Sequence, residues 1–213
     1  MRTRYLVTLT FLLCLALSNA FAHSDKSESK RDEYKSKERV EIKTSYGNII
    51  VEVYPNKAPV TASNFLRLVD RGVYNNASFY RVVRKDNQPQ DNVKIEVIQG
   101  GLGRDYDDEH PDRKTQLTPI IHETTALTGL KHQDGTLSMA RNSPGSASSE
   151  FFICINKQPA LDYKGKRNPD GEGFAAFGKV IKGMKVVKTI QALNDTRQYL
   201  DKPVKILSMK RIK

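Results

Sequence analysis

The sequence predicts a mainly β protein whose strands close, or nearly close, into an antiparallel barrel accompanied by two helices. Three observations carry this. Short runs rich in Val, Ile, Phe, Tyr and Thr recur along the chain, and the segments between them hold Gly, Pro, Asp and Asn, the residues that turn a backbone. Only two segments show the 3.6-residue spacing of an amphipathic helix. A sheet of this many strands has to dispose of its edges, whose unpaired N–H and C=O groups recruit other chains, and closure does that.

Taken in order, Val40, Ile42 and Thr44 alternate with Glu41 and Lys43, and residues 48–54 form a second β-rich run. Tyr46-Gly47-Asn48 supplies the turn between them, so the pair reads as a hairpin. A helix follows: Thr61 or Ser63 caps its start, Phe65, Leu66, Leu68 and Val69 make one apolar face, and Gly72 stands at the position just past the end, where a left-handed residue stops a helix. Strands are expected at 78–83, 94–99, 136–140, 150–155 and 174–180. A second helix covers about 184–193, with Met184, Val187, Ile190 and Leu193 on one side, and a last strand, 203–210, comes after it.

The chain has 213 residues, enough for one ordinary domain with extensions. Hydrophobic residues make up 38% and charged residues 28%, a balance that suits a globular core rather than disorder. Arg2 and Arg4 precede an uncharged apolar run at 5–17, and Ala20-Phe21-Ala22 has the small-x-small form of a cleavage site. Residues 1–22 therefore read as a secretory signal peptide cleaved after Ala22. The apolar run is 13 residues long, short of the ~20 that span a bilayer, so no stable membrane insertion is expected after cleavage. Residues 23–39 hold six basic and five acidic residues and almost nothing apolar. Such a stretch cannot bury enough surface to offset its ordering entropy, and it reads as a flexible charged leader. The folded domain is then residues 40–213, in the periplasm or outside the cell.

Cleavage removes Cys14 and leaves Cys154 without a partner for an internal disulfide. Cys154 lies in the apolar run 151–155 and reads as a buried small hydrophobe rather than a nucleophile. The net charge of +11 favours acidic surfaces in general. Lys and Arg are nevertheless spread along the chain with acids between them, which argues against nucleic-acid binding. No GxSxG elbow, P-loop, HExxH, CxxC or helix-opening GxGxxG is present. The acidic cluster at 105–112 lacks the EF-hand spacing and its glycine and reads as a solvated loop, so neither a metal nor a cofactor is expected.

Three segments remain. They are Ser78-Phe79-Tyr80-Arg81-Val82-Val83; Val97-Ile98-Gln99-Gly100-Gly101; and Gly135-Thr136-Leu137-Ser138-Met139-Ala140-Arg141, running on to Ser149-Glu150-Phe151-Phe152-Ile153-Cys154. An arginine inside an apolar, aromatic strand is costly to bury unless its charge is used. On its own Arg81 would be read as half of an ion pair. Together with Phe177-Gly178-Lys179-Val180, the three segments closely resemble the cyclophilin family of peptidyl-prolyl isomerases, in the family's order and over residues 40–212.

The resemblance implies an eight-stranded closed antiparallel β-barrel capped by two α-helices, with the site on its outer face. It implies an enzyme that speeds cis–trans exchange of X–Pro peptide bonds. By the same resemblance Arg81, Gln99 and Phe152 are catalytic: Arg81 stabilises the twisted imide, Gln99 holds a substrate carbonyl or positions Arg81, and Phe152 is the floor of the proline pocket. Val97, Leu161 and Phe174 are its walls, and Ala140 and Arg141 offer backbone groups to the residue before the proline. The partners implied are proline-containing, unfolded or partly folded exported polypeptides, met by a monomer.

The sequence departs from the family pattern in places. An insertion fills 84–94, Glu96 and Val97 stand where an aromatic residue and Met are typical, Phe174 replaces a frequent His, and Ala160 falls where some members have Trp. Weak sensitivity to cyclosporin-type ligands follows by resemblance. Glu150 replaces the usual Gln before the double Phe; Glu96 reads as pointing away from the site or pairing with Arg81, and the alternative in which both acids face the groove gives it an acidic edge that favours basic substrates. The insertion and Glu96 also leave open a binding module with little turnover; retention of Arg81, Gln99 and Phe152 favours the enzyme.

Overall fold

The structure is a computed structural model that describes residues 37–103 and 117–213. The expected signal peptide, nearly all of the charged leader and the acidic cluster at 105–112 lie outside the described residues. The strands are β1 (Glu38–Thr44), β2 (Gly47–Val53), β3 (Ser78–Val83), β4 (Val97–Gly101), β5 (Thr136–Met139), β6 (Phe151–Cys154), β7 (Ala175–Lys182), β8 (Asp195–Thr196) and β9 (Tyr199–Ile212). The helices are α1 (Pro59–Asp70), α2 (Thr125–Thr128) and α3 (Met184–Gln191).

The sheet runs β1-β2-β7-β5-β6-β4-β3-β9, and β9 pairs back onto β1, so eight strands close into an antiparallel barrel. Strand β8 is a two-residue flap paired only with the start of β9. Closure is sealed where Ile42 of β1 faces both Ile49 of β2 and Met209 of β9. The interior is aromatic. Phe65 of α1 meets Phe151 and Phe177 at ring-centroid distances of 5.7 and 5.0 Å, and Phe79 meets Phe151 at 5.7 Å. The buried Tyr74 hydroxyl donates to the Ser149 carbonyl at 2.8 Å, which gives this core its satisfied polar group.

Strand alternation divides the molecule into two clusters. Phe151 and Ile153 point into the barrel, whereas Phe152 and Cys154 join Val83, Ile95, Val97 and Leu161 in a second apolar cluster. All four residues of β6 are buried, so the strand shows no polar face in the sequence. Cys154 is inaccessible, and burial pushes its thiol well above the ordinary range.

Several details differ from the sequence expectations. Neither Thr61 nor Ser63 caps α1. The helix starts at Pro59, and its free N–H groups are taken by a carboxylate from far along the chain: Glu123 accepts from the Val60 and Thr61 N–H groups at 3.2 and 2.7 Å and from the Thr61 hydroxyl at 2.6 Å. At the other end Gly72 is left-handed (φ +67°), and the Gly72 and Val73 N–H groups bond back to Val69 and Leu68, as expected of a helix stop. A third helix, α2, exists but is a single turn capped by Thr124, too short to show periodicity. Strand β1 begins at Glu38, inside the stretch assigned to the leader, because Arg39 pairs with Ile212. Strand β9 takes in Pro203, which sits where its pairing with β3 is interrupted between Val204 and Tyr199 and so breaks no ladder bond.

Insertion 84–94 is pinned rather than loose. The Gln88 amide bonds to both the N–H and the C=O of Ile95, standing in for a neighbouring strand, and β4 therefore starts at Val97 rather than 94. Arg167 holds the far side through the Val93 carbonyl at 2.7 Å and Asp91 at 3.1 Å.

Candidate active site

A local irregularity in β3 creates the site. Phe79 pairs with Gly100 and Arg81 with Gln99, so Tyr80 and Arg81 together oppose one residue of β4. This β-bulge shifts the alternation by one: Phe79 and Val82 both point into the barrel, and Tyr80 and Arg81 both face the outer groove. Gly100 makes it possible, because a Cβ there would lie 2.7 Å from the Phe79 ring.

From Arg81 the pairing continues across the sheet in one row, to Gln99 on β4, Phe152 on β6 and Ser138 on β5. Neighbouring strands are spaced by ~4.8 Å, so a cation and an aromatic shelf stand about two strands apart on the same face. They border a groove of about 500 Å³. Its apolar end is lined by Phe152, Val97, Leu161, Phe174 and Ala140, with Ile95 added from the edge of the insertion. Phe174 meets Phe152 edge-on at 5.3 Å. The polar end holds Arg81, Gln99, Tyr80, Glu150 and Ser146. The structure thus brings all eight residues singled out from the sequence to one groove.

Within the groove Arg81 is held on two sides. Its Nη1 donates to Gln99 Oε1 at 2.9 Å, and its Nε donates to Gln198 Oε1 at 3.1 Å. Burial lowers its pKa somewhat, yet a guanidinium keeps its proton near neutral pH. Gln99 Nε2 donates to the Tyr80 hydroxyl at 2.7 Å, and that hydroxyl donates to Glu150 Oε2. Burial, reinforced by the Glu150 charge, pushes the Tyr80 phenol far up. Burial also raises Glu150, against the pull of donors from Tyr80, Gly103, Leu102 and Ser149.

One of the backbone groups expected to meet a ligand is already engaged: the Ala140 N–H donates to the Glu150 carbonyl at 2.8 Å. The Arg141 guanidinium forks onto Asp170 at 2.8 and 2.9 Å, donates to the Gly173 carbonyl and lies 5.2 Å from the Phe174 ring centroid, which braces that wall. Glu96 does not line the groove. It lies just ahead of β4 and meets Lys85 at 3.6 Å and Asn156 at 3.2 Å, as the reading that it points away from the site has it, so the acidic edge with Glu150 does not form.

Behind the shelf, His132 is fully buried and stacks on Phe152 at 6.0 Å. Its Nδ1 is 2.8 Å from Asp162 and its Nε2 is 3.0 Å from the Ser138 hydroxyl. The order Ser–His–Asp resembles a nucleophilic triad, but Ser138 is inaccessible and its hydroxyl cannot reach a substrate. Burial lowers the His132 pKa against the pull of Asp162, so the group is a neutral support for the Phe152 ring. Among the described residues no cluster of three or more His, Cys, Asp or Glu is placed to hold a metal ion, and no helix is long and apolar enough to cross a membrane.

Sequence reasoning missed Gln198 and Tyr199. Gln198 lies 117 residues from Arg81 in the β8–β9 hairpin, where Arg197 and Gln198 both have positive φ (52° and 74°). Two successive positive-φ residues without glycine leave no turn signal in the sequence.

Residues 39–211 match the family model described as cyclophilin type peptidyl-prolyl cis-trans isomerase/CLD. A peptidyl-prolyl cis-trans isomerase of Acinetobacter baylyi is 39% identical over 176 residues, covering 80% of this chain and 83% of the relative. Peptidyl-prolyl cis-trans isomerase A of Dickeya dadantii is 34% identical over 210 residues, covering 96% and 94%. The solved structure of a cyclophilin type isomerase from Cryptosporidium parvum superposes with a TM-score of 0.62 at 23% identity, covering 83% of this chain and 98% of that one. A second structure of that protein, determined in the presence of the dipeptide Ala-Pro, gives 0.59 at 24% identity over 80% and 96%.

Proposed function

We propose, for a chain that belongs to the cyclophilin-type peptidyl-prolyl cis–trans isomerase family, that Arg81 is the donor that stabilises the twisted X–Pro bond. The chain is a peptidyl-prolyl isomerase, and the reaction sets the terms. Rotation about a peptide bond faces a barrier of ~18–20 kcal/mol because the C–N bond is partly double. At X–Pro bonds both isomers are populated, so nothing need be broken. In the twisted state resonance is lost, the proline nitrogen becomes pyramidal, and its lone pair accepts a hydrogen bond.

The observation that carries the reading is the Arg81–Gln99–Phe152 row. The proline ring sits on Phe152 between Val97, Leu161 and Phe174, and the chain beside it turns. Arg81, steadied by Gln99 and Gln198, donates to the nitrogen only when the bond is twisted, which is how binding becomes rate. One charge-assisted hydrogen bond contributes about 1.5–3 kcal/mol, or roughly ten- to two-hundredfold. The rest comes from the pocket, which holds one side of the bond still and keeps water off it.

Substrates are proline-containing segments of unfolded or partly folded polypeptides. With residues 1–22 read as a signal, these are exported chains, and the enzyme works beside them in the periplasm or outside the cell as a monomer. The test is an isomerisation assay on a prolyl peptide with Arg81→Ala. The expected result is a loss of ten- to two-hundredfold in kcat/KM, by the magnitude just given, with circular dichroism unchanged. A wild-type rate would reject the mechanism.

A further inference from the structure

We infer that the insertion at 84–94 serves turnover: through Asn87 it fixes the Gln198 side chain, and Gln198 aims Arg81. Asn87 and Gln198 are then positioning residues for the reaction. The inference rests on the reading of Arg81 as the donor to the twisted bond.

The Gln198 amide is engaged at both ends. Its Oε1 accepts from two nitrogens of the Arg81 guanidinium, Nε at 3.1 Å and Nη2. Gln99 takes only Nη1. Each nitrogen of the fork thus has a partner, which sets its plane, and N–H groups remain on Nη1 and Nη2 to meet a substrate. The other end of the Gln198 amide, Nε2, donates to the Asn87 carbonyl at 3.2 Å. Asn87 closes the 3₁₀ turn with which the insertion starts, Lys85–Asn87.

Asn87 is itself a junction. Its Oδ1 accepts from the Arg84 N–H at 2.8 Å, and its Nδ2 donates to the Val82 carbonyl and to Asp195, each at 3.1 Å. Asp195 also accepts from the Gln198 N–H at 2.8 Å and from the Arg84 guanidinium. Arg84 reaches on to the carbonyls of Gln191 and Leu193, where α3 ends. The insertion, the end of α3 and the β8–β9 turn form one network around Gln198.

The turn needs this support. Arg197 and Gln198 are both left-handed without being glycine, a conformation that persists only where the surroundings impose it. Asp195 imposes it on the Gln198 N–H, and the insertion holds Asp195 through Arg84 and Asn87. The Val82 N–H, at 2.8 Å from the Gln198 carbonyl, secures the backbone, but the side chain depends on Asn87. The insertion cannot drift at its far side either, where Gln88 and Arg167 bind it. A loose insertion would suit a binding module, whereas one bonded to the support of Arg81 suits an enzyme.

The test is kinetic and spectroscopic, on the purified protein with a prolyl peptide. Gln198→Met keeps the length of the side chain and removes both ends of the amide. Asn87→Ala frees the insertion and leaves Gln198 in place. Gln198→Met should lower kcat about tenfold and Asn87→Ala about fivefold, with KM held. In both, the NMR signal of the Arg81 Nε–H should lose its protection from exchange. Asn87→Ala added to Gln198→Met should change kcat by less than about twofold, because the link it acts through is gone. Either substitution added to Arg81→Ala should do equally little. A wild-type kcat in Gln198→Met or Asn87→Ala overturns the proposal and leaves the role of Arg81 standing. A loss that persists undiminished in the Arg81→Ala background also overturns it, since the network would then act on the fold or the peptide directly. A wild-type rate in Arg81→Ala alone removes the reading beneath it.

Discussion

Gly101→Ala should be among the most damaging single-methyl additions in this protein. The residue has φ +147°, in the region that side chains rarely occupy, and its missing Cβ is replaced in space by the Glu150 carboxylate, whose atoms would lie 2.5 to 2.6 Å from it. The carboxylate cannot swing aside freely, because Leu102, Gly103, Ser149 and Tyr80 all donate to it. Backbone strain costs about 1–3 kcal/mol, and displacing a charged acceptor from its donors costs about 1.5–3 kcal/mol more. The sum, roughly 2.5–6 kcal/mol, is a large share of the ~5–15 kcal/mol that holds a domain together. Urea unfolding followed by circular dichroism reads it directly. Adding Glu150→Ala to Gly101→Ala should return part of the loss, because the clash then has no partner, and this non-additivity distinguishes the steric cause from strain alone. An unfolding free energy for Gly101→Ala within ~0.5 kcal/mol of wild type would refute the argument.

Other consequences concern acid stability and export. His132 is held neutral by burial, with its pKa below the ordinary 6.5, so the unfolded chain takes up the proton first. Stability from this source is full above pH 6.5, falls as the pH drops from 6.5 to the native value, and then levels; a further loss follows below pH 3.8, where Asp162, depressed by its His132 hydrogen bonds against the effect of burial, is protonated. Urea midpoints measured between about pH 8 and 5 should decline in wild type and be flatter in His132→Asn; identical slopes would contradict this. For export, N-terminal sequencing of the protein recovered from the periplasm or medium should begin at His23, and a chain retaining Met1 would reject cleavage after Ala22.

Much of the fold is legible because its signals are local. The Val40/Ile42 alternation, the Gly72 stop and the apolar side of α3 each follow from spacing within a few residues. What is not legible arises between distant segments. Glu123 supplies the cap that Thr61 and Ser63 do not, and Gln198 reaches Arg81 from the hairpin leading into the neighbouring strand β9, 117 residues along the chain. The site is a mixed case. The residues Phe79, Tyr80, Arg81, Gln99 and Gly100 stand out as a group, but the sequence does not say that a bulge turns Tyr80 and Arg81 to the same face. The reading of Glu96 as pointing away agrees with its contacts to Lys85 and Asn156, whereas the bond from Tyr80 to Glu150 has no signal in the sequence. The hydrogen-bond order around Glu150 needed the side chains themselves.

In the proposed mechanism Arg81 acts on the twisted bond rather than on the bound peptide. Exchange NMR on a prolyl peptide separates the two, because it gives the peptide affinity and the rate at which cis and trans forms interconvert on the enzyme. Arg81→Ala, and Arg81→Lys with its point charge in place of the fork, should both slow interconversion roughly tenfold or more while affinity changes less than about threefold. Equal losses in affinity and rate, or unaltered interconversion in Arg81→Ala, would contradict the mechanism.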